Sequence, residues 1–528
     1  MPWLVHQIAS MLLSLLGCCL AFYTVYYIFI YPYIFSPYRN IPCAKQPSLL
    51  KRLFFDPTSF ELVEFAKTPN DGLVRYFGFL NQERLLLTTP DICREILLRD
   101  SYKFDKLPSI TALQSPVGVS GLVTAHGESH KWQRRDTIAA YNIVRSQAQY
   151  PVVWRTAKEA ADVLSTRLSK AATNVILVNN FFLEVCADAV GRASFSVDFQ
   201  ALQHPEQDMI KKYLVIFSAA ENTPLYIKLM QLIPASWHPG SVKLVAGLLG
   251  LDMSLIKSVV EGSLSKKIEK MQHQRTDASI DKQQENEDRI DILEGLVHRA
   301  PNMGREKLAQ HAMTILAGSV EMISNQLSWG MYALAHPKYA HIQDKLRNEI
   351  AAQFPHLPDN FTPADMRKVP YVMDTVNEII RFYPSVADRG RWCNSDAMLF
   401  DQAIKKGTFL TWPVWSLNRS TELWGKDANE FRPERWSASD AKGEFSNSKR
   451  DPYSLMTFGQ GTRKCPGEHY TRVVMGCVLI ALVSRFRFKL PESMLDLFER
   501  KGPGAIEIGI LMKAKIHVQI EEIVSQQL

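Results

Sequence analysis

The first strong pattern in the chain is a continuous apolar stretch close to the N-terminus. Residues 7–38 contain no Asp, Glu, Lys or Arg, and residues 8–30 are almost entirely apolar. About 20 apolar residues are enough for a helix to cross the hydrocarbon core of a bilayer. The pattern predicts an N-terminal transmembrane anchor at 1–36, a Pro-punctuated linker at 37–50 and a globular domain at 51–528.

A secretory signal peptide is the competing interpretation of this stretch. A signal peptide would have a shorter apolar core, a basic start and a small-residue cleavage site. The four tyrosines between 23 and 31 are instead typical of an aromatic belt at a membrane interface. Basic residues follow the apolar stretch at Arg39, Lys45, Lys51 and Arg52, whereas none precedes it. The positive-inside rule therefore predicts a cytosolic body and a short N-terminus across the membrane. The apolar length itself predicts that membrane lipid surrounds the anchor.

Beyond the linker, hydrophobic periodicity changes between helical and strand patterns without an internal repeat. Alternating positions predict strands, and apolar positions three and four residues apart predict helices. The predicted strands are 74–79 and 85–88 as a hairpin, segments within 386–400 and 407–414, and a C-terminal hairpin of 506–511 and 514–520. The predicted helices include 90–98, 305–335 and 371–382. The fold class is therefore mainly α with small β-sheets.

Composition narrows the range of functions. With 528 residues, 46% hydrophobic and 22% charged, the chain has ample material for a core. Its net charge of +7 is spread along the chain without a basic stripe, so nucleic acid is not an expected partner. The eight cysteines form no Cys-x-x-Cys and have no neighbouring His pair, which argues against a disulfide framework or a zinc site.

The chemistry is concentrated in residues 458–467, which read FGQGTRKCPG. Three glycines allow a tight loop, and helical spacing follows it, so Cys465 precedes a helix. The dipole and free N–H groups of that helix are expected to lower the pKa of the thiol. A soft ligand flanked by Phe458 and Arg463 suits proximal ligation of a haem iron. The alternative is a Gly-rich loop with a buried cysteine, which is the interpretation we prefer for Cys477.

This stretch resembles the Phe-x-x-Gly-x-Arg-x-Cys-x-Gly signature of the cytochrome P450 family, and the resemblance extends over nearly the whole chain. It implies a haem-thiolate fold in which iron protoporphyrin IX is held by Cys465 as the metal ligand. It further implies a monooxygenase that uses NADPH-cytochrome reductase and O₂ to oxidise an apolar small molecule. The implied location is the endoplasmic reticulum membrane, with a single pass and a cytosolic catalytic domain. Residues 424–433 resemble fungal members that act on secondary metabolites such as terpenoids.

The resemblance also assigns residues to the cofactor. The implied cofactor-binding set is His130, Arg134, Arg391, Phe458, Arg463, Cys465 and Gly467. His130 and Arg134 are four residues apart and share one helix face, where the family places haem contacts, although a solvated basic helix is the alternative. Arg391 lies where relatives have a propionate donor, and Arg389 is the rival assignment.

One position departs from the family pattern. Relatives read Ala-Gly-x-Asp/Glu-Thr in the long helix, which places Glu321 at the acid and Met322 at the threonine. Both are assigned to the catalytic set, Glu321 as a proton relay. A thioether cannot donate a hydrogen bond, so Ser319 could partly substitute through water, while core packing is the alternative for Met322. The departure leaves open a haem-thiolate isomerase or dehydratase acting on a peroxide, and a non-catalytic haem-binding protein is a third hypothesis.

A charged set outside the catalytic residues completes the resemblance. Glu378 and Arg381 lie three residues apart on one helix face, and such pairs are usually weak surface bridges. The family's Glu-x-x-Arg helix instead forms a buried triad with a later arginine. The resemblance therefore implies that Glu378, Arg381 and Arg435 form a structural clamp, with Trp436 in place of the usual Phe.

Overall fold

We analysed a computed structural model of the chain, which describes residues 2–106, 121–207, 291–299, 303–437, 451–496 and 515–523, with a few single positions between 258 and 269. In these residues helices predominate and the strands are short, as predicted. The described helices are α1 (Pro2–Val25), α2 (Tyr31–Ile34), α3 (Leu49–Phe54), α4 (Ser59–Ala66), α5 (Pro90–Arg94), α6 (Gly127–Ile138), α7 (Ile143–Ala148), α8 (Tyr150–Lys170), α9 (Val178–Phe195), α10 (Ile292–Arg299), α11 (Arg305–Ala335), α12 (Ala340–Gln353), α13 (Pro363–Met366), α14 (Pro370–Phe382), α15 (Val414–Leu417), α16 (Thr421–Trp424) and α17 (Glu468–Val483).

The described strands form three small sheets. They are β1 (Leu73–Phe77), β2 (Glu83–Leu87), β3 (Phe104–Asp105), β4 (Val175–Leu177), β5 (Arg389–Cys393), β6 (Ala397–Leu399), β7 (Gln402–Ile404), β8 (Phe409–Trp412), β9 (Phe486–Lys489) and β10 (His517–Glu522). The largest sheet has the order β1-β2-β8-β5-β3, and in it β2 pairs with β8 in parallel while the other neighbours are antiparallel.

The predicted N-terminal hairpin is confirmed. Strands β1 and β2 are antiparallel, with Val74 opposite Leu86. Leu80 and Asn81 make the turn with positive φ. The predicted C-terminal hairpin is described only in part, because 506–511 lie outside the described residues. Strand β10 is present, and it pairs with β4 and β9 on its two sides.

Helix α11 lies at the centre of the main core. Its 31 residues agree with the predicted bounds, and from Leu308 onward it is buried on almost every side, as expected of a central helix. It packs mainly on α9, and Trp329 stacks on Tyr383 with ring centroids 5.3 Å apart. Helix α17 is similarly apolar and buried from Val473 to Val483. The catalytic candidates Glu321 and Met322 lie on α11, and Cys465 lies just before α17.

A buried carboxylate ties α14 to the segment that follows α16. Glu378 accepts two hydrogen bonds from Arg381, at 2.7 and 2.8 Å, and one from Arg435 at 3.0 Å. The indole N–H of Trp436 donates to the same carboxylate at 2.9 Å, and so does the backbone N–H of Arg432 at 2.8 Å. The side chains of Glu378 and Arg381 are 0% exposed, so this is not a surface bridge. Burial alone would raise the pKa of Glu378, but Arg381 and Arg435 lower it to about 2.

The N-terminal helix continues onto the body. The segment Ser10–Ile34 is long and apolar enough to cross a membrane by length and composition. Its C-terminal end contacts the β1–β2 hairpin, because Asn81 donates to the carbonyl of Ile28 at 2.6 Å and Arg75 donates to the carbonyl of Pro32. The hydroxyl of Ser36 donates to Glu83 at 2.6 Å, and Glu83 pairs with Arg75 at 2.5 Å. The contacts with the body thus begin before residue 37.

The predicted linker is also fixed to the body. The backbone of Pro42 and Ala44 hydrogen-bonds with Arg75 along β1, at 2.8 and 2.9 Å. The phenol of Tyr38 is buried and shares a 2.6 Å hydrogen bond with Thr408. The domain limits at residues 36 and 50 stay predictions, but the described contacts show that 37–44 is not a free tether.

Two truncations test how the anchor is attached. Removing residues 2–25 should reduce membrane association and leave the hairpin contacts in place. Removing residues 2–36 should further destabilise the body by about 3–6 kcal/mol, because Arg75 and Glu83 each lose a hydrogen bond and each bond to a charged group contributes about 1.5–3 kcal/mol. The measurement is urea unfolding of both proteins, with haem content as the control. Equal stability of the two proteins would mean that the contacts contribute nothing.

The substitution Trp436→Phe tests the extra donor on the clamp. Losing a hydrogen bond to a buried carboxylate should cost about 1.5–3 kcal/mol at neutral pH. Because the pKa of Glu378 is lowered on folding, its stabilisation is complete above the unfolded pKa of about 4.3 and is lost as the pH falls toward 2. The difference between variant and wild type in urea unfolding should shrink over that range. A loss that stays constant down to pH 3 would instead indicate lost packing.

Candidate active site

The loop 458–467 is closed by its own backbone. The N–H of Cys465 donates to the carbonyl of Phe458 at 2.9 Å. Gly459 and Gly461 have positive φ, 66° and 73°, which favours glycine. At Gly461 there is a second reason for glycine, because a Cβ would lie 2.0 Å from the carbonyl oxygen of Leu97. Helix α17 begins at Glu468, so Cys465 precedes a helix as predicted.

The thiol of Cys465 faces a hollow in the protein. The Cys465 side chain is accessible, yet the many protein atoms around its thiol limit solvation and so raise the thiol pKa. The N–H of Gly467 and the positive charges of Arg389 and Arg134 act in the opposite direction. The predicted lowering of the pKa is therefore outweighed by desolvation. A sulfur that is accessible and still poorly solvated lies in an enclosed space, which suits a metal ligand.

Side chains on one stripe of α11 are likewise left accessible by the rest of the protein. Gly318 is exposed, and Thr314 and Met322 are half-buried, although the helix around them is buried. The three residues are four apart and therefore share one face. No atom lies within 4 Å of a Cβ placed at Gly318. The rest of the protein therefore leaves this stripe of α11 uncovered.

The segment between Tyr383 and β5 connects the stripe on α11 with the Cys465 loop. The hydroxyl of Ser385 donates to the carbonyl of Met322 at 3.0 Å. Ser385 lies six residues before Arg391, and its contact fixes the segment to α11. At its other end, Arg389 donates to the carbonyl of Thr457 at 2.8 Å and interacts electrostatically with Cys465. Glu321 is buried beside the stripe, and its carbonyl accepts from the hydroxyl of Ser324 at 3.1 Å.

A cluster of cations surrounds the hollow. Burial and neighbouring cations lower the pKa of Arg391 to about 9 and hold the pKa of Lys106 well below its usual value. Burial also lowers the pKa values of Arg134, Arg389 and Arg463. His130 is buried behind them and shares a 3.0 Å hydrogen bond with Tyr102. Its pKa is lowered to about 3 by burial and by Arg463, Lys106 and Arg134, so His130 is neutral at pH 7.

The carboxylates described beside this cluster neutralise only part of its positive charge. Asp105 accepts from Arg463 at 2.7 Å and pairs with His126 at 3.1 Å. Burial alone would raise the pKa of Asp105, but His126 and Arg463 lower it to about 2. Burial raises the pKa of Asp388 to about 6. Five basic side chains thus lie beside two carboxylates. The arrangement calls for a bound anion.

Comparison with known proteins gives the family. Residues 51–515 match the family model described as Cytochrome P450. The chain belongs to the cytochrome P450 family.

Its relatives include monooxygenases from fungi. The chain is 29% identical over 511 residues to the cytochrome P450 monooxygenase sphH of Aspergillus fumigatus, which covers 93% of this chain and 90% of that protein. It is 26% identical to the cytochrome P450 monooxygenase ALT8 of Alternaria alternata, in an alignment that covers 95% of this chain and 93% of that protein. It is also 26% identical to the cytochrome P450 monooxygenase FUM15 of Gibberella moniliformis, in an alignment that covers 88% of this chain and 86% of that protein. The enzyme class predicted from the loop is therefore confirmed: this is a P450-type monooxygenase.

P450 enzymes use haem with a cysteine thiolate as axial ligand, and the residues of this hollow fit that cofactor. The Nε atoms of Arg389 and Arg463 are buried and have no hydrogen-bond partner in the described part of the chain. The two propionates of haem would supply the anions that the cation cluster lacks. Gly318 leaves space on one side, and Cys465 presents its sulfur on the other.

The structure brings the predicted haem residues together with some that sequence reasoning missed. Both candidates, Arg389 and Arg391, face the cluster, and Arg389 is the one that interacts with Cys465. Arg463 reaches the cluster but uses one Nη on Asp105 and the other on the carbonyl of Ala125, at 2.9 Å. Lys106 was missed, because a lysine after a two-residue strand carries no sequence signal. The haem roles of His130, Arg134, Phe458 and Gly467 stay predictions.

Asn418 is a second residue that the sequence did not reveal. Its amide donates to the carbonyl of Arg381 at 3.0 Å and to the hydroxyl of Thr457 at 2.8 Å. Its oxygen accepts from the N–H of Met456 at 2.9 Å. One buried amide thus connects the clamp helix to the residues immediately before the Cys465 loop.

Two glycine substitutions test the geometry of the P450 loop. Gly459→Ala adds only left-handed backbone strain, of about 1–2 kcal/mol, because no atom lies near its Cβ. Gly461→Ala adds similar strain and a collision with the backbone of Leu97, so the loop must move. We expect near-normal haem content for Gly459→Ala and a several-fold loss for Gly461→Ala, measured from the haem absorbance per protein. Equal haem content in the two variants would contradict the predicted role of the Leu97 contact.

Proposed function

We propose that this P450 inserts one oxygen atom from O₂ into an apolar small molecule, with electrons from NADPH through a cytochrome reductase. The proposal is supported chiefly by the hollow between Cys465 and the open stripe of α11, rimmed by buried cations. Such a space combines a soft metal ligand, a site for an anionic cofactor and an apolar wall for substrate. The relatives are fungal P450 monooxygenases, and residues 424–433 resemble fungal members that act on secondary metabolites such as terpenoids, so we propose a substrate of that kind.

Each residue type in the proposed site has a defined task. Haem with a thiolate ligand supplies the chemistry that cleaves the O–O bond. Cys465 would ligate the iron, and Arg134, Arg389, Arg391 and Lys106 would hold the propionates. Because P450 substrates are apolar, the wall formed by α11 would hold the reacting carbon by shape and exclude water from it.

Proton delivery is where this chain differs from its family. Met322 lies on the open stripe, and its thioether cannot donate a proton. The hydroxyl of Thr314 donates to the carbonyl of Gln310 at 2.8 Å, so its proton is already used. Glu321 is buried next to Met322, and Ser319 is half-buried one turn away. We assign Glu321 as the proton source and Ser319, through water, as the group that replaces the missing hydroxyl.

Two other activities are alternatives for the same site. An isomerase or dehydratase acting on a peroxide would need no external electrons and no proton donor at position 322. Met322 favours that chemistry, whereas the monooxygenase names of the fungal relatives favour oxygenation. A non-catalytic haem-binding protein would have no use for the open stripe on α11.

The remaining proposals concern location and the electron donor. The apolar helix suits an anchor in the endoplasmic reticulum membrane, with the body in the cytosol. Exposed basic side chains lie near the Cys465 side, among them Arg135 on α6 and Lys464 in the loop. An acidic reductase could dock on these residues, and such docking weakens as ionic strength rises.

The function is tested by NADPH-dependent oxygen consumption with a purified reductase. The wild type should show the red-shifted Soret band of a reduced, carbon-monoxide-bound thiolate haem, and it should consume O₂ when substrate is added. Cys465→Ser should lose both, while Cys477→Ser should retain both because Cys477 is a buried core thiol on α17. A Cys465→Ser protein that keeps the band would exclude Cys465 as the ligand. Turnover of an organic hydroperoxide without reductase would favour the isomerase.

The substitution Met322→Thr tests the proton-delivery proposal. Restoring a hydroxyl on the stripe should increase the fraction of NADPH that yields product rather than hydrogen peroxide. The gain should reach at most about tenfold, since one hydrogen bond contributes ~1.4 kcal/mol. Glu321→Gln should lower kcat more than it raises KM, because it removes a proton source without emptying the pocket. Coupling that is unchanged in Met322→Thr would mean that substrate or water already supplies the donor.

A further inference from the structure

A tyrosine at the edge of the cation cluster has no part in oxygenation of the substrate. Tyr102 comes two residues before β3, and its hydroxyl shares a 3.0 Å hydrogen bond with Nδ1 of His130. The side chain of Asn394, which follows β5, donates to the backbone carbonyl of Tyr102 at 3.0 Å. The main sheet therefore holds the tyrosine in place, and α6 carries the histidine that meets it.

The tyrosine contacts both the cation cluster and the exposed side of α6. The guanidinium carbon of Arg463 lies 5.5 Å from the centroid of the Tyr102 ring. The Nζ atom of Lys131 lies 4.8 Å from the same centroid, and the Lys131 side chain is 48% exposed. Tyr102 is half-buried, so solvent reaches part of it, whereas His130 is buried. The pair thus connects the surface of the protein with the residues expected to hold the cofactor.

His130 can accept the proton of the phenol. Burial and the charges of Arg463 and Lys106 lower the pKa of His130 to about 3, so the imidazole is neutral at pH 7 and has one acceptor nitrogen. When the phenol of Tyr102 donates to Nδ1, the proton of the ring lies on Nε2. A phenol that loses an electron becomes a far stronger acid than the imidazolium ion, so its proton moves to Nδ1 even though the pKa of His130 is lowered. A base already in hydrogen-bond contact makes oxidation of the phenol easier.

We infer that Tyr102 is a redox site through which soluble one-electron donors reduce hydrogen peroxide at the haem, while His130 holds the phenolic proton. This is a peroxidase activity beside the proposed oxygenation, and its donors are small hydrophilic reductants such as ascorbate. Hydrogen peroxide is the by-product expected when Met322 leaves proton delivery incomplete. The Tyr102–His130 pair would consume that peroxide and protect the cofactor from it.

The atoms and electrons of this reaction balance. Haem supplies the chemistry that converts peroxide to water. Tyr102 gives up one electron, and its proton moves to Nδ1 of His130. Ascorbate then returns one electron to the phenoxyl group, and His130 returns the proton. One H₂O₂ takes two electrons and two protons to give two H₂O, and two ascorbate ions supply both, so Tyr102 is oxidised and restored twice.

Reaction of the holoenzyme with hydrogen peroxide tests the inference. Without a donor, the freeze-quenched wild type should show the electron paramagnetic resonance signal of a tyrosyl radical. Tyr102→Phe should lose most of that signal, oxidise ascorbate several-fold more slowly and bleach its haem faster. His130→Gln, whose amide accepts a hydrogen bond but is too weak a base to hold the proton, should also lower the radical yield per haem. Tyr339→Phe is the matched control and should behave as wild type, because Tyr339 is also half-buried beside a lysine but packs on Phe431.

The outcomes separate this inference from the proposed function. A wild type without a tyrosyl radical, or a Tyr102→Phe protein that keeps the signal and the ascorbate rate, overturns the role of Tyr102 alone. A wild type that forms the radical but consumes no O₂ with reductase and substrate overturns the proposed function alone. If Tyr102→Phe does not incorporate haem, 3,5-difluorotyrosine is placed at Tyr102 in the full chain. A changed splitting of the radical signal then supports the inference, and an unchanged splitting overturns it.

Discussion

The fold depends on one buried carboxylate. Glu378 receives hydrogen bonds from two guanidinium groups, one indole and one backbone N–H, and the side chains of Glu378 and Arg381 are fully removed from solvent. An ionised carboxylate in such a place is tolerated only when every lone pair is satisfied, because its desolvation costs several kcal/mol. The same network therefore fixes α14 and residues 424–436 in one arrangement.

Hydrogen bonds to backbone groups connect this network to the site around Cys465. Arg381 also donates to the carbonyls of Asn418 and Ala428, at 2.7 and 2.8 Å. Asn418 then holds Met456 and Thr457, and Thr457 accepts from Arg389. Two residues, Asn418 and Thr457, thus lie between the structural carboxylate and a cation beside Cys465. A cysteine in a glycine-rich loop has a defined position only because residues on both sides of the loop are held in this manner.

Buried cations gather near Cys465, while the stripe of α11 is uncharged, and this division suits a cofactor with two anionic groups and an apolar substrate. The cations lie on several elements: β5, α6, the residue after β3 and the Cys465 loop. The mutual repulsion of these cations destabilises the protein alone and is relieved when a dianion binds.

The sequence by itself determined the elements and the chemistry that depend on local pattern. The apolar stretch, the β1–β2 hairpin, the bounds of α11 and the Cys465 loop followed from spacing and from glycine positions. Pattern could also assign Glu378, Arg381 and Arg435 through the family resemblance. What only the tertiary structure decided was which charges meet. Lys106 and Asn418 belong to no sequence motif, and burial raises the pKa of the Cys465 thiol although its position before a helix predicts a lowered one. Desolvation and pairing depend on atoms distant along the chain, and no local pattern records them.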